Sequence, residues 1–294
     1  MTPLALLAAD WHWREDQPQC RTDDFMQTQI KKALFVKDIC EKHDIPLLIA
    51  GDVFDFWKPS PELLSIVLRS MPYFICIPGQ HDLPRHNIDL FHKSGLSVMM
   101  ESRKAHVILM QGEERHLEDF TVFGYPYGEY PKARRRRRNE KPSICMLHTQ
   151  ISDRQRMFET RNAYDVLEEL TGYDLILSGD NHAQFFVEEN NRILLNPGSI
   201  TRQDADQIEH QPRVYLWYPN NTIEAIDIPV DFTVVVRTHI ELQKEKDDRI
   251  DEYIDCMKAG YSVKLNFKGN LKEHMSINKT EDDVKSIVWE WFES

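Results

Sequence analysis

The chain has 294 residues, 41% of them hydrophobic and 29% charged. That is the composition of an ordinary soluble globular protein, and it excludes disordered, collagen-like and disulfide-scaffold classes. Its 48 acids against 36 bases leave a net charge of −12, which excludes a uniformly basic nucleic-acid coat but not a local basic patch. The length suits one domain of about 200–250 residues with a small appendage, or two comparable domains. The cysteines (Cys20, Cys40, Cys76, Cys145 and Cys256) are scattered and form no C-x-x-C pair. This fits a reducing cytosol and argues against a thiolate zinc site. Apolar runs such as Leu4–Ala9 and Ile45–Ala50 are six residues long, far short of the roughly 20 a membrane helix needs. No basic region precedes the first run, so no secretory signal is expected and the location is read as cytoplasmic.

In chain order, five short apolar runs alternate with helical spacing: Leu4–Ala9, Ile45–Ala50, Tyr73–Ile77, Ser143–Leu147 and Asp174–Ser178. Continuous runs of this length read as strands buried on both faces. Phe25–Lys42 and Pro61–Ser70 have helical periodicity, with Leu63, Ile66 and Val67 on one face. The alternation predicts a layered α/β architecture. After residue 185 the segments Phe185–Val187, Arg192–Leu195, Val214–Tyr218 and Thr222–Ile228 follow one another without a helix, which suggests a second, mainly antiparallel sheet packed on the first. A boundary is placed near residue 230, giving domains 1–230 and 231–294. The tail reads as a strand at Phe232–Ile240, an acidic helix around Glu241–Lys258 and a strand at Tyr261–Phe267. A last helix, capped by Thr280 with Asp283 three residues on, carries Val284, Ile287, Val288 and Trp291 on one stripe.

Each of the five apolar runs ends in groups able to do chemistry. Asp10-Trp11-His12 follows the first and Gly51-Asp52-Val53-Phe54-Asp55 the second; Gly79-Gln80-His81-Asp82 comes after the third, His148 after the fourth, and Gly179-Asp180-Asn181-His182 after the fifth. Ligands of open α/β sheets bind beyond the carboxyl ends of the strands. If the five strands share one sheet and direction, their Asp, His and amide groups converge on one crest. Singly, an Asp-x-His or a Gly-Asp is a common turn or cap; five coincidences at the same end of a buried strand are not. Mixed carboxylate and imidazole donors without thiolate suit hard or borderline divalent cations. There are enough donors for two ions sharing a carboxylate, an arrangement that activates water and stabilises the oxygens of an in-line displacement at phosphorus.

The succession D-x-H, G-D-x-x-D, G-N-H-D, H, G-H-x-H marks the calcineurin-like metallophosphoesterases, and the chain resembles that superfamily over roughly residues 4–200. Within it, the chain looks most similar to SbcD-type DNA-repair exonuclease subunits of the smaller, virus-encoded kind, on the strength of Gly124-Tyr125-Pro126-Tyr127-Gly128, Asn196-Pro197-Gly198-Ser199 and the tail. The resemblance implies a four-layer α/β/β/α sandwich with a small C-terminal α+β capping domain. It also implies two divalent ions, Mn²⁺ first and Mg²⁺ second. The first would be held by Asp10, His12, Asp52 and His182, and the second by Asp52, Gln80, His148 and Asp180. His81 would protonate the leaving oxygen, oriented by Asp82. Gln80 stands where the family has Asn and Asp180 where it has His; both changes keep an oxygen donor and harden the second position. DNA as substrate, a homodimer, a coiled-coil ATPase on another chain and a host-cytoplasm location are implied in the same way. No G-x-x-x-x-G-K-[ST] loop occurs here.

Lys132–Arg138 holds six bases in seven residues. Arg134, Arg135, Arg136, Arg137 and Arg138, with Arg202, are candidate contacts to a phosphate backbone; the bland alternative for the run is a solvated face. Trp11, Trp13, Phe56 and Trp57 lie beside metal motifs and would either stack on bases or pack the site. The activity expected is Mn²⁺-dependent DNA cleavage. The alternatives are hydrolysis of a small phosphoester such as a cyclic nucleotide, or a scaffold with a weakened site.

Overall fold

Strands that are apolar at every position have no face to give to water, so something must cover both sides. A computed structural model of the chain, described for residues 1–154, 160–238, isolated positions between 244 and 254, and 267–293, shows how this is done. One sheet takes β1 (Ala5–Ala8), β2 (Leu47–Ile49), β3 (Phe74–Cys76) and β4 (Ala105–Val107) in parallel. A second takes β6 (Thr121–Tyr125), β7 (Ser143–His148), β10 (Leu175–Gly179) and β12 (Arg192–Asn196), also in parallel. The two sheets face each other. Leu7, Leu48 and Ile75 of the first share a core with Val122, Ile144, Met146 and Leu177 of the second.

Because successive side chains alternate across a strand, the other half of each run faces outward and needs helices. Leu6, Leu47 and Phe74 pack on Ala33 and Val36 of α1 (Phe25–His43) and on Leu63 and Val67 of α2 (Pro61–Ser70), with α3 (Gly95–Glu101) alongside. Cys145, Leu147 and Ile176 pack on Val166 and Leu167 of α4 (Ala163–Glu169). The result is the expected four-layer sandwich. Local chemistry sets the helix bounds: Asp24 accepts from the Gln27 N–H at the start of α1, and Ser60 caps α2 ahead of Pro61.

The five motif-bearing strands are split between the two sheets, β1–β3 in one and β7 and β10 in the other, so the expectation of one shared sheet is corrected. The late strands also divide. β11 (Phe185–Glu189) pairs antiparallel with β12, whereas β13 (Arg213–Trp217) and β14 (Ile223–Asp227) extend the first sheet beyond β1. They complete existing edges rather than build a sheet of their own. β5 (Glu113–His116) closes the opposite edge of the second sheet, and β8 (Ile151–Ser152) pairs with β9 (Arg161–Asn162).

The chain divides into two compact units, Met1–Val236 and Arg237–Ser294. The strand expected at Phe232–Ile240 is not seen among its described residues: Phe232–Val234 is a turn of 3-10 helix, started by Asp231 accepting from the Thr233 N–H, and Val235 makes a single bridge with Arg21. Most of Glu241–Lys258, and the strand Tyr261–Phe267 up to its last residue, lie outside the described residues. The second unit includes α5 (Phe267–Ile277) and α6 (Asp282–Glu293); weak helix formers such as Gly269 and Asn270 hid the former in the sequence. Among the described residues no helix is long and apolar enough to cross a membrane.

Candidate metal centre

Three loops of the first sheet and two strand ends of the second meet at one place, stitched by main-chain bonds. Asp10 N–H donates to Gly51 C=O at 3.2 Å and His12 N–H to Asp52 C=O at 3.0 Å. Turning the chain this sharply puts Asp10 (φ 47°), His12 (φ 49°), Asp52 (φ 49°) and Asp180 (φ 82°) in the left-handed region, which is costly for non-glycine residues and gathers at functional sites. Glycine is obligatory at several of these turns. A Cβ on Gly51 would lie 2.1 Å from His148 Nδ1, and one on Gly79 would lie 2.0 Å from Asp52 Oδ1.

These loops bring together three overlapping donor groups: Asp10, His12 and His182; His12, Asp52 and His81; and Asp10, Asp52 and His148, the donor atoms of each lying within 4.8 Å of one another. Asp10, His12, Asp52 and His148 are buried. His148 Nδ1 donates to Ala50 C=O at 2.7 Å, which leaves Nε2 toward the centre, 3.2 Å from Asp52 Oδ2. His12 Nδ1 faces Asp55 Oδ1 at 3.4 Å while its Nε2 lies 3.0 Å from His182 Nε2. An imidazole held from behind by a carboxylate or carbonyl is the usual support of a metal ligand. Asp52 Oδ2, His148 Nε2 and Gln80 Oε1 are buried without hydrogen-bond partners. Asp52 Oδ2 and His148 Nε2 face each other in a dry place, an arrangement that takes a proton or a cation between them, so the donor set fits divalent metal.

The titration behaviour follows. Burial pushes both His12 and His148 down, but Asp55, Asp52 and Asp10 outweigh it for His12, which rises to about 9. Asp52 and Asp10, with Asp180 behind, raise His148 to about 10. Burial raises Asp52, yet His148 and His12 bring it well below the ordinary carboxylate range.

His81 is exposed at the mouth, its ring against that of His12 at 4.9 Å between centroids. The sequence reading gives Asp82 the task of orienting it. In the structure His81 Nδ1 instead pairs with the Asp55 C=O at 2.7 Å. Asp82 is wholly buried and accepts from the N–H groups of Val53, Phe54 and Gly79. It clamps two ligand loops together and is raised to about 6 by burial and by Asp52. Asp55, whose carboxylate also meets Arg14 at 3.4 Å, is a site residue that sequence reasoning misses. Its signal was the second aspartate of G-D-x-x-D.

Gln80 and Asp180, the two departures from the family pattern, touch each other: Gln80 Nε2 donates to Asp180 Oδ1 at 2.7 Å. Only the amide nitrogen can face a carboxylate, so Oε1 is turned the other way. Asp180 belongs to none of the three donor groups; its main-chain N–H donates to Asp10 Oδ1 at 2.9 Å.

The arginine run is not near this centre. Arg136 pairs with Asp174, whose carboxylate accepts from Ser143 N–H at the first residue of β7, while His148 is the last. A strand of this length spans about 16 Å, so the run sits at the opposite end of the sheet. A segment entering a strand cannot also lie at its exit. Arg134 pairs with Glu140 and stacks over Phe123 at 4.3 Å, while Arg135, Arg137 and Arg138 are exposed. Arg202 is buried, donating to the carbonyls of Ile208 and Asp231. Trp11 and Trp13 are core residues, whereas Phe56 is exposed beside Trp57.

A two-sheet sandwich that delivers Asp and His from both sheets into one cation-binding cluster defines a metal-dependent phosphoester hydrolase. The sequence model of calcineurin-like phosphoesterases matches residues 5–184, and the chain belongs to that family. Among curated proteins none matches the sequence. Similar solved structures include an archaeal phosphodiesterase at 14% identity and a TM-score of 0.41, covering 76% of this chain and 98% of that one. Another is a metallophosphoesterase from Sphaerobacter thermophilus at 12% identity and a TM-score of 0.37, covering 76% and 87%.

Proposed function

We propose that the protein cleaves phosphodiester bonds in DNA with two divalent cations, Mn²⁺ first. Asp10, His12, Asp52 and His182 hold one, and Asp52, Gln80 and His148, with Asp180 beside them, hold the other. The observation that carries the hydrolytic reading is the set of buried, partnerless donor atoms on Asp52, His148 and Gln80. Bound cations would polarise the phosphoryl group and lower the pKa of the attacking water. The oxygen-rich side at Gln80 and Asp180 favours Mn²⁺ over softer ions. His81, held by the Asp55 carbonyl and exposed at the mouth, delivers a proton to the leaving oxygen. Support for a nucleic-acid strand comes from Phe56, an exposed residue on the loop that carries Asp52 and Asp55, a platform for an unpaired base.

A second substrate class, a small phosphodiester such as a cyclic nucleotide, has its own support. A cavity of about 360 Å³ beside His182 has the size of a compact ligand. The discriminating experiment incubates the protein and Mn²⁺ with labelled single- and double-stranded DNA, and in parallel with a cyclic nucleotide. Asp52→Asn and His81→Asn serve as controls. DNA cleavage that falls by about 10²–10⁴ in His81→Asn and vanishes in Asp52→Asn is expected. Turnover of the cyclic nucleotide alone would replace DNA as the substrate, and inertness on both would remove the hydrolase reading.

A further inference from the structure

A second polar cluster lies in the first unit and is not used by the metal centre. Arg21, Lys32 and Arg202 are all buried, although an interior strongly disfavours an unpaired charge. Asp23 answers only one of them, accepting from Arg21 Nε at 2.8 Å and Nη2 at 2.6 Å. Lys32 Nζ has the carbonyl of Ile200 at 2.7 Å. Arg202 donates to the carbonyls of Ile208 and Asp231, and its Nε is buried with no partner. Burial, Arg21 and Arg202 together push Lys32 down to about 7.

These groups line a cavity of about 470 Å³, a volume typical of small-molecule sites. Its lining holds four bases (Arg21, Lys31, Lys32 and Arg202) against two acids, Asp23 and Asp231, in a chain of net charge −12. The remaining wall is largely apolar, with Phe35, Ile228, Pro229 and Val230. Local positive charge in an acidic protein, kept at the cost of burial and with one guanidinium N–H unspent, marks a place built for an anion. The apolar wall calls for more than a bare ion.

We propose that this cavity binds a phosphomonoester with an apolar body of nucleoside size, the phosphate against Lys32, Arg202 and Arg21 and the body against Phe35, Pro229 and Val230. With Lys32 protonated, the lining has a surplus of two positive charges, which matches a phosphate dianion. The site is separate from the metal centre but adjoins it through one residue: Ile200 donates its N–H to the Asp10 carbonyl at 3.3 Å and gives its own carbonyl to Lys32.

The test is calorimetric titration of the chelator-stripped chain with AMP, inorganic phosphate and adenosine, so that metal-dependent phosphate binding cannot contribute. One AMP per chain is expected, with no measurable binding of adenosine and weaker binding of inorganic phosphate. Lys32→Met should weaken AMP about tenfold or more, as loss of a buried charge-assisted bond does. Lys31→Glu, at the exposed rim, should weaken it severalfold without touching the core, and Asp52→Asn should leave it unchanged. Absence of AMP binding overturns the proposal. So does an affinity that Lys31→Glu and Lys32→Met leave intact, or one that Asp52→Asn abolishes. Inorganic phosphate binding as tightly as AMP would overturn the part given to the apolar wall.

Discussion

Two protonated histidines hold the metal centre together when no cation is there. With His12 raised to about 9 and His148 to about 10, both carry a proton at neutral pH, and those protons offset the charge of Asp52 and Asp10. A divalent ion coordinates only the neutral ring, so it must expel them. The sign is therefore fixed. A raised histidine pKa means protons bound at pH 7 and released on coordination, and apparent Mn²⁺ affinity should climb as pH rises from about 6 toward 9. Calorimetry in buffers of different ionisation enthalpy should count about two protons released per chain near pH 7. An enthalpy that does not vary with the buffer would show that His12 and His148 carry no proton for the cation to displace. At this scale the sequence was informative about which residues meet and poor about what each does. Asp10, His12, Asp52, His148 and His182 could be read off as motif letters. The service of Asp82 could not, because it consists of three N–H groups from two loops that only the fold brings to one carboxylate.

Strand ends and turns carry the geometry, and here legibility depends on what a strand must bury. Runs such as Leu4–Ala9 and Ser143–Leu147 announce themselves because both faces are apolar, but that property is common to β1 and β7 and does not say which sheet either joins. The assignment is made by the connections: β1, β2 and β3 are linked through α1 and α2, which can lie over one sheet only. β13 and β14 were legible as strands and misplaced for the same reason. The turns depend on glycine, and the close approach at Gly51 gives that a measurable form. Gly51 has φ 93°, and a Cβ there would overlap the His148 ring. Gly51→Ala should therefore cost about 2–4 kcal/mol of stability from strain and overpacking together, read as a lower denaturant midpoint at unchanged slope. It should also reduce bound Mn²⁺ measured by elemental analysis, because the ring it displaces is a ligand. Wild-type metal content in a folded Gly51→Ala protein would mean that His148 is free to move and is not needed at the centre.

At the level of the whole molecule, charge is segregated along the axis of the strands. Carboxylates and imidazoles gather where the strands end, and the arginine run gathers where β7 and β10 begin, tied there by Arg136 to Asp174 and Arg134 to Glu140. The two ends are separated by about 16 Å of strand, twice the screening length of about 8 Å at physiological ionic strength. The exposed arginines should thus have little influence on a phosphate at the metal centre. Replacing Arg135, Arg137 and Arg138 together by Glu moves the net charge from −12 to −18, six units for three reversals. Even so, KM for a short oligonucleotide should change by less than about twofold at 0.15 M salt with kcat unaltered, while Arg134 and Arg136 stay in place to keep the loop folded. Should KM instead rise about tenfold, and the salt dependence of binding lose about three counterions' worth of slope, the run would be contacting the substrate backbone. A strand would then have to pass from the metal centre down the side of the second sheet.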